Sequence, residues 1–304
     1  MKVLLTGGTG FLGKKLSSTI ATTSELTLLV RNGSNVVANI NAFASEMTES
    51  VDYSEILFGN DVVIHAAALA HKVNSKLELA DYTAVNEKLT LRLAEQAANV
   101  GVKRFIFIST IGVNGISNTK PFKFSDKPNP CEYYAISKNS AEICLKKIAL
   151  ETGMEVVIIR PPLVYGMGAP GNFGTLLKLA EKNFPLPLGA INNRRSFVSI
   201  DNLVDLIITC IDHPNAANQT FLVSDDEDIS TSNLLKKLTL AAGKKPWLLP
   251  VPVSFLKLLA TMVGKKEAVE RFSSSLTVDI DHTKKTLNWK PPITLDEGIR
   301  RCFK

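Results

Sequence analysis

The sequence predicts an α/β protein with a doubly wound parallel sheet, followed by a smaller C-terminal lobe. Three observations carry this. Apolar strands alternate with helices through the first half of a 304-residue chain. Those strands are apolar on both faces, as strands are when helices cover both sides of a sheet. After about residue 162 the rhythm gives way to loops rich in proline and glycine, such as 166–171 and 185–189.

The first strand is Val3 to Thr6, and Gly7-Gly8-Thr9-Gly10 joins it to a helix from Phe11 to Ile20. A strand that feeds a helix through such a turn is a phosphate cradle. Gly7 permits the tight turn, Gly10 lets the backbone approach a pyrophosphate, and Gly13 lets the helix lie close to the strand. Further strands are expected at Leu26 to Val30, Asp61 to His65 (entering Ala66-Ala67-Ala68), Arg104 to Ser109 and Glu155 to Arg160. Helices are expected at about 84–100 and 132–152. Sheets of this type bind ligands at the carboxyl ends of their strands, so Thr6, His65, Ser109 and Arg160 should converge. Later helical patterns cover 176–181, 203–211, 231–242 and an apolar stretch near 255–263. The expected division is 1–161 for the dinucleotide domain and 162–304 for the second lobe, with segments free to interleave.

Composition is that of a globular protein, 45% apolar and 21% charged. No apolar run reaches the length of a membrane span, and no leader pattern precedes the first strand, so a cytoplasmic protein without membrane contact is expected. Cys131, Cys144, Cys210 and Cys302 are scattered, which predicts neither a metal site nor a disulfide framework. The net charge is +6, and the basic residues read as dispersed, with only pairs such as Arg194-Arg195. A diffuse positive field suits a small anionic substrate. Without aromatic–basic interleaving or a helix-turn-helix pattern, no nucleic acid partner is expected.

Tyr134 and Lys138 stand four apart in Glu132-Tyr133-Tyr134-Ala135-Ile136-Ser137-Lys138, on one face of a helix. A phenol with a pKa near 10 is a poor base at neutral pH. An ammonium one turn away favours the phenolate, as does an oxidised nicotinamide. Ser109-Thr110 ends the preceding strand, where a hydroxyl beside the reacting oxygen would sit. Alone, Tyr-x-x-x-Lys also fits a helix with a surface lysine. The hydroxyl pair and the dinucleotide cradle favour a hydride-transfer site.

With these motifs, the chain resembles the extended short-chain dehydrogenase/reductases of the UDP-glucose 4-epimerase type over essentially its whole length. The resemblance implies a Rossmann-type domain that binds NADP or NAD and a lobe that binds a UDP-sugar. Its catalytic roles fall on Thr110, five residues before Gly115, and on Tyr134 and Lys138. Cofactor contacts fall on Gly7, Gly10, Phe11, Leu12, Gly13, Ala66, Ala67, Ala68, Asn86 and Pro161, along with Tyr134 and Lys138. Asn172, Leu188 and Arg195 fall on substrate positions, with Arg271 as a second phosphate contact. The equivalents of helices 84–100 and 132–152 form a dimer interface in such proteins, so a homodimer is expected. Pro161-Pro162-Leu163-Val164-Tyr165-Gly166 and Arg194-Arg195-Ser196 resemble a narrower bacterial subgroup of surface-polysaccharide synthesis, which acts on UDP-N-acetylhexosamines.

The chain departs from the family pattern in places. Leu163 stands for a usual asparagine, Asn114 for a usual aromatic residue, and His71-Lys72 lie beside a position, Ala70, that is lysine in some members. Arg31 ends the second strand where an acid would accept from the ribose of NAD, so NADP is expected to bind at least as well. The readings left open are 4-epimerase, NADPH-dependent 4-keto-sugar reductase, and a cofactor-sensing protein without turnover.

Overall fold

The computed structural model describes residues 1–35, 40–70, 77–262, 264 and 266–303. In it the apolar strands line up as their two-sided hydrophobicity requires. β1 (Lys2–Thr6) leads through α1 (Phe11–Ile20) to β2 (Glu25–Arg31) and β3 (Asn41–Ser45), then α2 (Ser54–Leu57) and β4 (Val62–His65). A helical stretch follows as α3 (Leu79–Thr83), a π-turn over Ala84–Lys88, and α4 (Leu89–Asn99). Then come β5 (Arg104–Ile108), α5 (Tyr133–Thr152) and β6 (Glu155–Arg160).

The chain next builds a small sheet from β7 (Leu163–Tyr165) and, after α6 (Gly171–Lys182), β8 (Arg195–Ser199). It returns through α7 (Ile200–Asp212) to β9 (Thr220–Leu222), which pairs with β6 at the edge of the large sheet. β10 (Asp228–Ile229) then joins β8 antiparallel. Five helices close the chain: α8 (Thr231–Ala241), α9 (Val253–Met262), α10 (Lys266–Ser273), α11 (Asp281–Leu287) and α12 (Leu295–Arg301). The large sheet has the order β3-β2-β1-β4-β5-β6-β9, all parallel, so the strand order reverses between β1 and β4. A crevice at such a reversal is where this architecture places a dinucleotide.

Alternate residues of each strand feed opposite cores. Val3, Leu5, Val62, Ile64, Ile106, Val157 and Ile159 pack with α1 and α7 on one face. Leu4, Val63, Phe105, Phe107, Val156 and Ile158 pack with α4 and α5 on the other. A third cluster, with Tyr165, Phe173, Leu234 and Leu295, holds the small sheet against α6, α8 and α12. Among the strands of the large sheet, β3 and β9 have no counterpart in the sequence reading. Asn41 to Ala44 are exposed at the sheet's edge, so no apolar run marks them. The helix expected near 255–263 is α9; residue 263, like His71 and Lys72, lies outside the described residues.

Candidate active site

The turn from β1 to α1 is shaped by two glycines. Gly7 has φ +75°, and a Cβ there would lie 2.6 Å from the Ala67 nitrogen. A Cβ on Gly13 would lie 2.0 Å from the Gly7 carbonyl oxygen, closer than any side chain could tolerate. The helix therefore starts almost in contact with the turn. Its N-cap, Gly10, supplies no side-chain hydrogen bond, and its first turn holds no acid. The first amides of α1 are left for an anion at the positive end of the helix.

Beside this turn, Thr6 and His65 end β1 and β4 next to one another. Thr90 Oγ1 donates to the Asn86 carbonyl (2.9 Å), so it accepts from His65 Nε2 (2.9 Å). His65 Nδ1 then accepts from Thr6 Oγ1 (2.7 Å), which in turn accepts from the Ala67 amide (3.2 Å). This assigns one neutral tautomer from the network. Burial, helped by the Lys138 charge, lowers the imidazole pKa to about 3. Asn86, on the π-turn, accepts from the Leu69 amide (2.8 Å) and donates to Ser137 Oγ (3.1 Å). It fixes the segment after β4, including Ala66, Ala67 and Ala68, against α5.

Tyr134, Lys138 and Glu142 follow one another at four-residue spacing along α5. Lys138 is buried. Its Nζ donates to the Ile108 carbonyl at the end of β5 (2.8 Å) and lies 4.2 Å from the centre of the Phe107 ring. Burial pulls its pKa down to about 7, against the opposing pull of Glu142. Burial also pushes the phenol of the partly exposed Tyr134 up to about 12.

Ser109 and Thr110 play different parts. Ser109 is buried and donates to Glu142 (2.5 Å). Thr110 is partly open; its Oγ1 accepts from the Gly112 amide (3.1 Å), and its own proton remains free to donate. Arg160, at the end of β6, grips both oxygens of Glu142 and reaches Asn114 Oδ1 (2.9 Å). Asn114 is therefore the acceptor for a buried guanidinium, a job a phenylalanine could not do. The Pro161 carbonyl accepts from the Ile111 amide (2.9 Å), tying the strand end to the Thr110 segment.

The expected substrate residues lie on the smaller sheet and its helices. Arg195 Nη1 donates to the carbonyls of Arg271 (2.7 Å) and Ser274 (3.2 Å), so the two arginines expected at the phosphates sit side by side. Arg271 Nη2 pairs with Glu132 (2.6 Å), the residue that opens α5 two places before Tyr134. Asn172 is exposed in the first turn of α6. Leu188 packs on the third cluster, and its carbonyl accepts from Ser232 (2.5 Å). Arg31 ends β2 exposed, with no ion-pair partner among the described residues.

The sequence profile described as "NAD dependent epimerase/dehydratase family" matches residues 3–224. The chain belongs to this family. It is 46% identical to a UDP-glucose 4-epimerase of Vibrio cholerae, over 98% of this chain and 93% of the relative. It is 27% identical to the N-acetyl-alpha-D-glucosaminyl-diphospho-ditrans,octacis-undecaprenol 4-epimerase of Escherichia coli O157:H7, over 99% and 94% of the two chains. Among solved structures, the UDP-glucose 4-epimerase of Thermotoga maritima aligns with a TM-score of 0.79 at 23% identity, over 100% of this chain and 97% of that one. The UDP-N-acetylglucosamine 4-epimerase of Bacillus cereus aligns with a TM-score of 0.82 at 20% identity, over 100% and 95%. These likenesses establish the epimerase fold.

The cofactor that names the family fits the residues present. A dinucleotide needs a close-approach turn and free amides, and Gly7, Gly13 and uncapped α1 provide them. The residues that the sequence reading left without a role are those beneath the site: Glu142, Asn114 and Thr90. The signal for Glu142 was present, as the next step of the stripe from Tyr134 through Lys138.

Proposed function

We propose that this epimerase-family protein is a nucleotide-sugar 4-epimerase that inverts C4 of a UDP-hexose or UDP-N-acetylhexosamine. The observation that carries this is Tyr134 one helical turn from a buried Lys138, which the end of β5 holds in the same parallel sheet that carries the glycine cradle. Full-length likeness to a UDP-glucose 4-epimerase supports the choice of reaction. A nicotinamide, when bound, supplies the reversible hydride acceptance that C4 inversion needs.

Tyr134 takes the proton from the C4 hydroxyl as that carbon is oxidised, and returns it as the sugar is reduced from its other face. Lys138 spends one of its three donors on the Ile108 carbonyl and keeps two for ribose hydroxyls and the phenolate. Its charge stabilises the phenolate that burial otherwise disfavours. Thr110, with its acceptor side filled by Gly112, donates its hydroxyl proton to the C4 oxygen. Arg195 keeps its remaining donors for the pyrophosphate, with Arg271 and Asn172 beside it. Leu188 lines the part of the smaller lobe that takes the base.

A C2-symmetric homodimer through α4 and α5 fits the same reading. Ile143 and Leu150, seven apart on α5, are exposed apolar residues on its outer face. Four unpaired thiols suit a reducing compartment, and the cytoplasm is where we place the enzyme.

The test is to mix purified protein with UDP-glucose, without added reductant, and separate the products. UDP-galactose should accumulate to a fixed ratio, and acid should release a nicotinamide dinucleotide from the protein. Reduction of a 4-keto sugar with stoichiometric loss of NADPH, and no conversion of UDP-glucose or UDP-N-acetylglucosamine, would establish the reductase instead.

A further inference from the structure

α9 turns its apolar stripe away from the protein. A surface helix normally buries the residues recurring at i, i+3, i+4 and i+7. Here that series is Phe255, Leu258, Leu259 and Met262, and each is between 46% and 78% exposed. The face directed inward holds only Leu256 and Ala260 as buried residues. The preceding segment adds Trp247 and Leu249, also exposed, on a short backbone ladder with residues 186–189. Single exposed apolar side chains are ordinary, whereas four in helical register with others beside them mark an interaction surface.

Charge identifies the occupant. From Ile229 to Lys266 the chain carries seven lysines and no aspartate or glutamate. The remaining 28 basic residues are outnumbered by 29 acidic ones, so the net charge of +6 resides in this stretch. The stretch is bordered by Asp225-Asp226-Glu227-Asp228 and Glu267, and Lys237 on α8 pairs with Asp296, so the lysines that bear on α9 are those nearest to it in the chain. Lys244 and Lys245 precede Trp247 and are exposed; together with Lys257 on α9, they have no ion-pair partner among the described residues. An apolar helix face bordered by free lysines is the pattern of a helix that lies in the headgroup region of an anionic bilayer. No helix among the described residues is long and apolar enough to cross a membrane. An interfacial helix needs no such length.

We propose that the exposed face of α9, with the lysines around it, docks the enzyme peripherally on an anionic lipid bilayer. α9 packs against α10, and α10 carries Arg271. The docking surface therefore lies one helix from the paired arginines, and a sugar diphosphate at those arginines would be handled next to the membrane. The docking itself does not depend on which reaction the site performs.

Flotation with phosphatidylcholine vesicles, with and without phosphatidylglycerol, tests this on the purified full-length chain. The protein should float with the phosphatidylglycerol vesicles, remain below with pure phosphatidylcholine, and be released by high salt. Each lysine near an anionic surface is worth about fivefold in partitioning. Lys244→Glu with Lys245→Glu should therefore lower binding by at least tenfold, as should Leu258→Ser with Met262→Ser. Turnover of a soluble sugar nucleotide should be unchanged in both variants, which certifies their folding. A wild type that stays below with phosphatidylglycerol vesicles overturns the proposal. So does a wild type larger than a dimer in solution that Leu258→Ser with Met262→Ser reduces in size, since the face would then be covered by another copy of the chain.

Discussion

Lys138 has one carbonyl and one aromatic ring for company, and an ammonium held that way is poorly solvated. Its pKa near 7 means that a small change in the pocket moves its charge, and with it the basicity of Tyr134. Tyr134→Phe keeps the ring and removes only the titrating hydroxyl. Turnover should fall by ~10²-fold or more, with dinucleotide affinity nearly unchanged, as measured by product chromatography and calorimetry. Arg31 offers a second single-residue test. Charge-assisted bonds to a 2′-phosphate are worth roughly 1.5–3 kcal/mol each. Titration should find NADP bound at least as well as NAD, and Arg31→Ala should weaken NADP about tenfold or more while leaving NAD alone. His65 gives a pH effect whose sign is fixed. Its ordinary value is 6.5, and the folded value is about 3. The unfolded chain therefore holds more protons between these limits, and stability falls as pH drops from 6.5 towards 3. Urea melts of the wild type should lose about 1 kcal/mol per pH unit there, a slope that His65→Gln should lack. A slope shared equally by both proteins would remove His65 as its source.

At the scale of elements, the Glu142–Arg160 pair does the joining. It binds α5 to the ends of β5 and β6 through Ser109 and Asn114, and both of its members are almost wholly hidden. Arg160→Met would strand a carboxylate in the core and should cost about 3–5 kcal/mol in denaturant unfolding. The double variant with Glu142→Leu should recover most of that loss, because the pair repays little beyond its own desolvation. The parts legible in the sequence share a cause. The strands of the large sheet between the edges are read easily because both faces are apolar, and β1–α1 because Gly7 and Gly13 tolerate no side chain. β3 escapes because an exposed edge strand has no apolar signature, β7, β9 and β10 because two or three residues are too few for a period, and β8 because it mixes polar with apolar residues. The paired arginines could be named singly, but their adjacency depends on a chain reversal 76 residues long, which no local pattern encodes. Asn114 was marked as unusual without a reason; the reason is a guanidinium 46 residues away.

For the whole molecule, the first question is assembly. Light scattering should give a dimer mass at micromolar concentration, and Leu150→Arg on the outer face of α5 should shift it to the mass of one chain. A single-chain mass for the wild type would discard the α4–α5 interface. The interleaved path of the chain also has a consequence in time. Synthesis runs from the N-terminus, and by residue 160 six parallel strands are available to pair. The partner of β6 on its outer side is β9, about sixty residues later, after the chain has left to build β7 and β8. While those residues are being made, β6 presents an unpaired edge with the apolar run Val156 to Ile159 at its centre, the kind of surface on which nascent chains stick to one another. The nascent enzyme thus passes through an interval in which α5 and the β1–α1 glycine turn exist before the sheet beneath them is sealed. Translation speed across residues 161–222 and the presence of a holding chaperone should then decide how much of the enzyme reaches its native form.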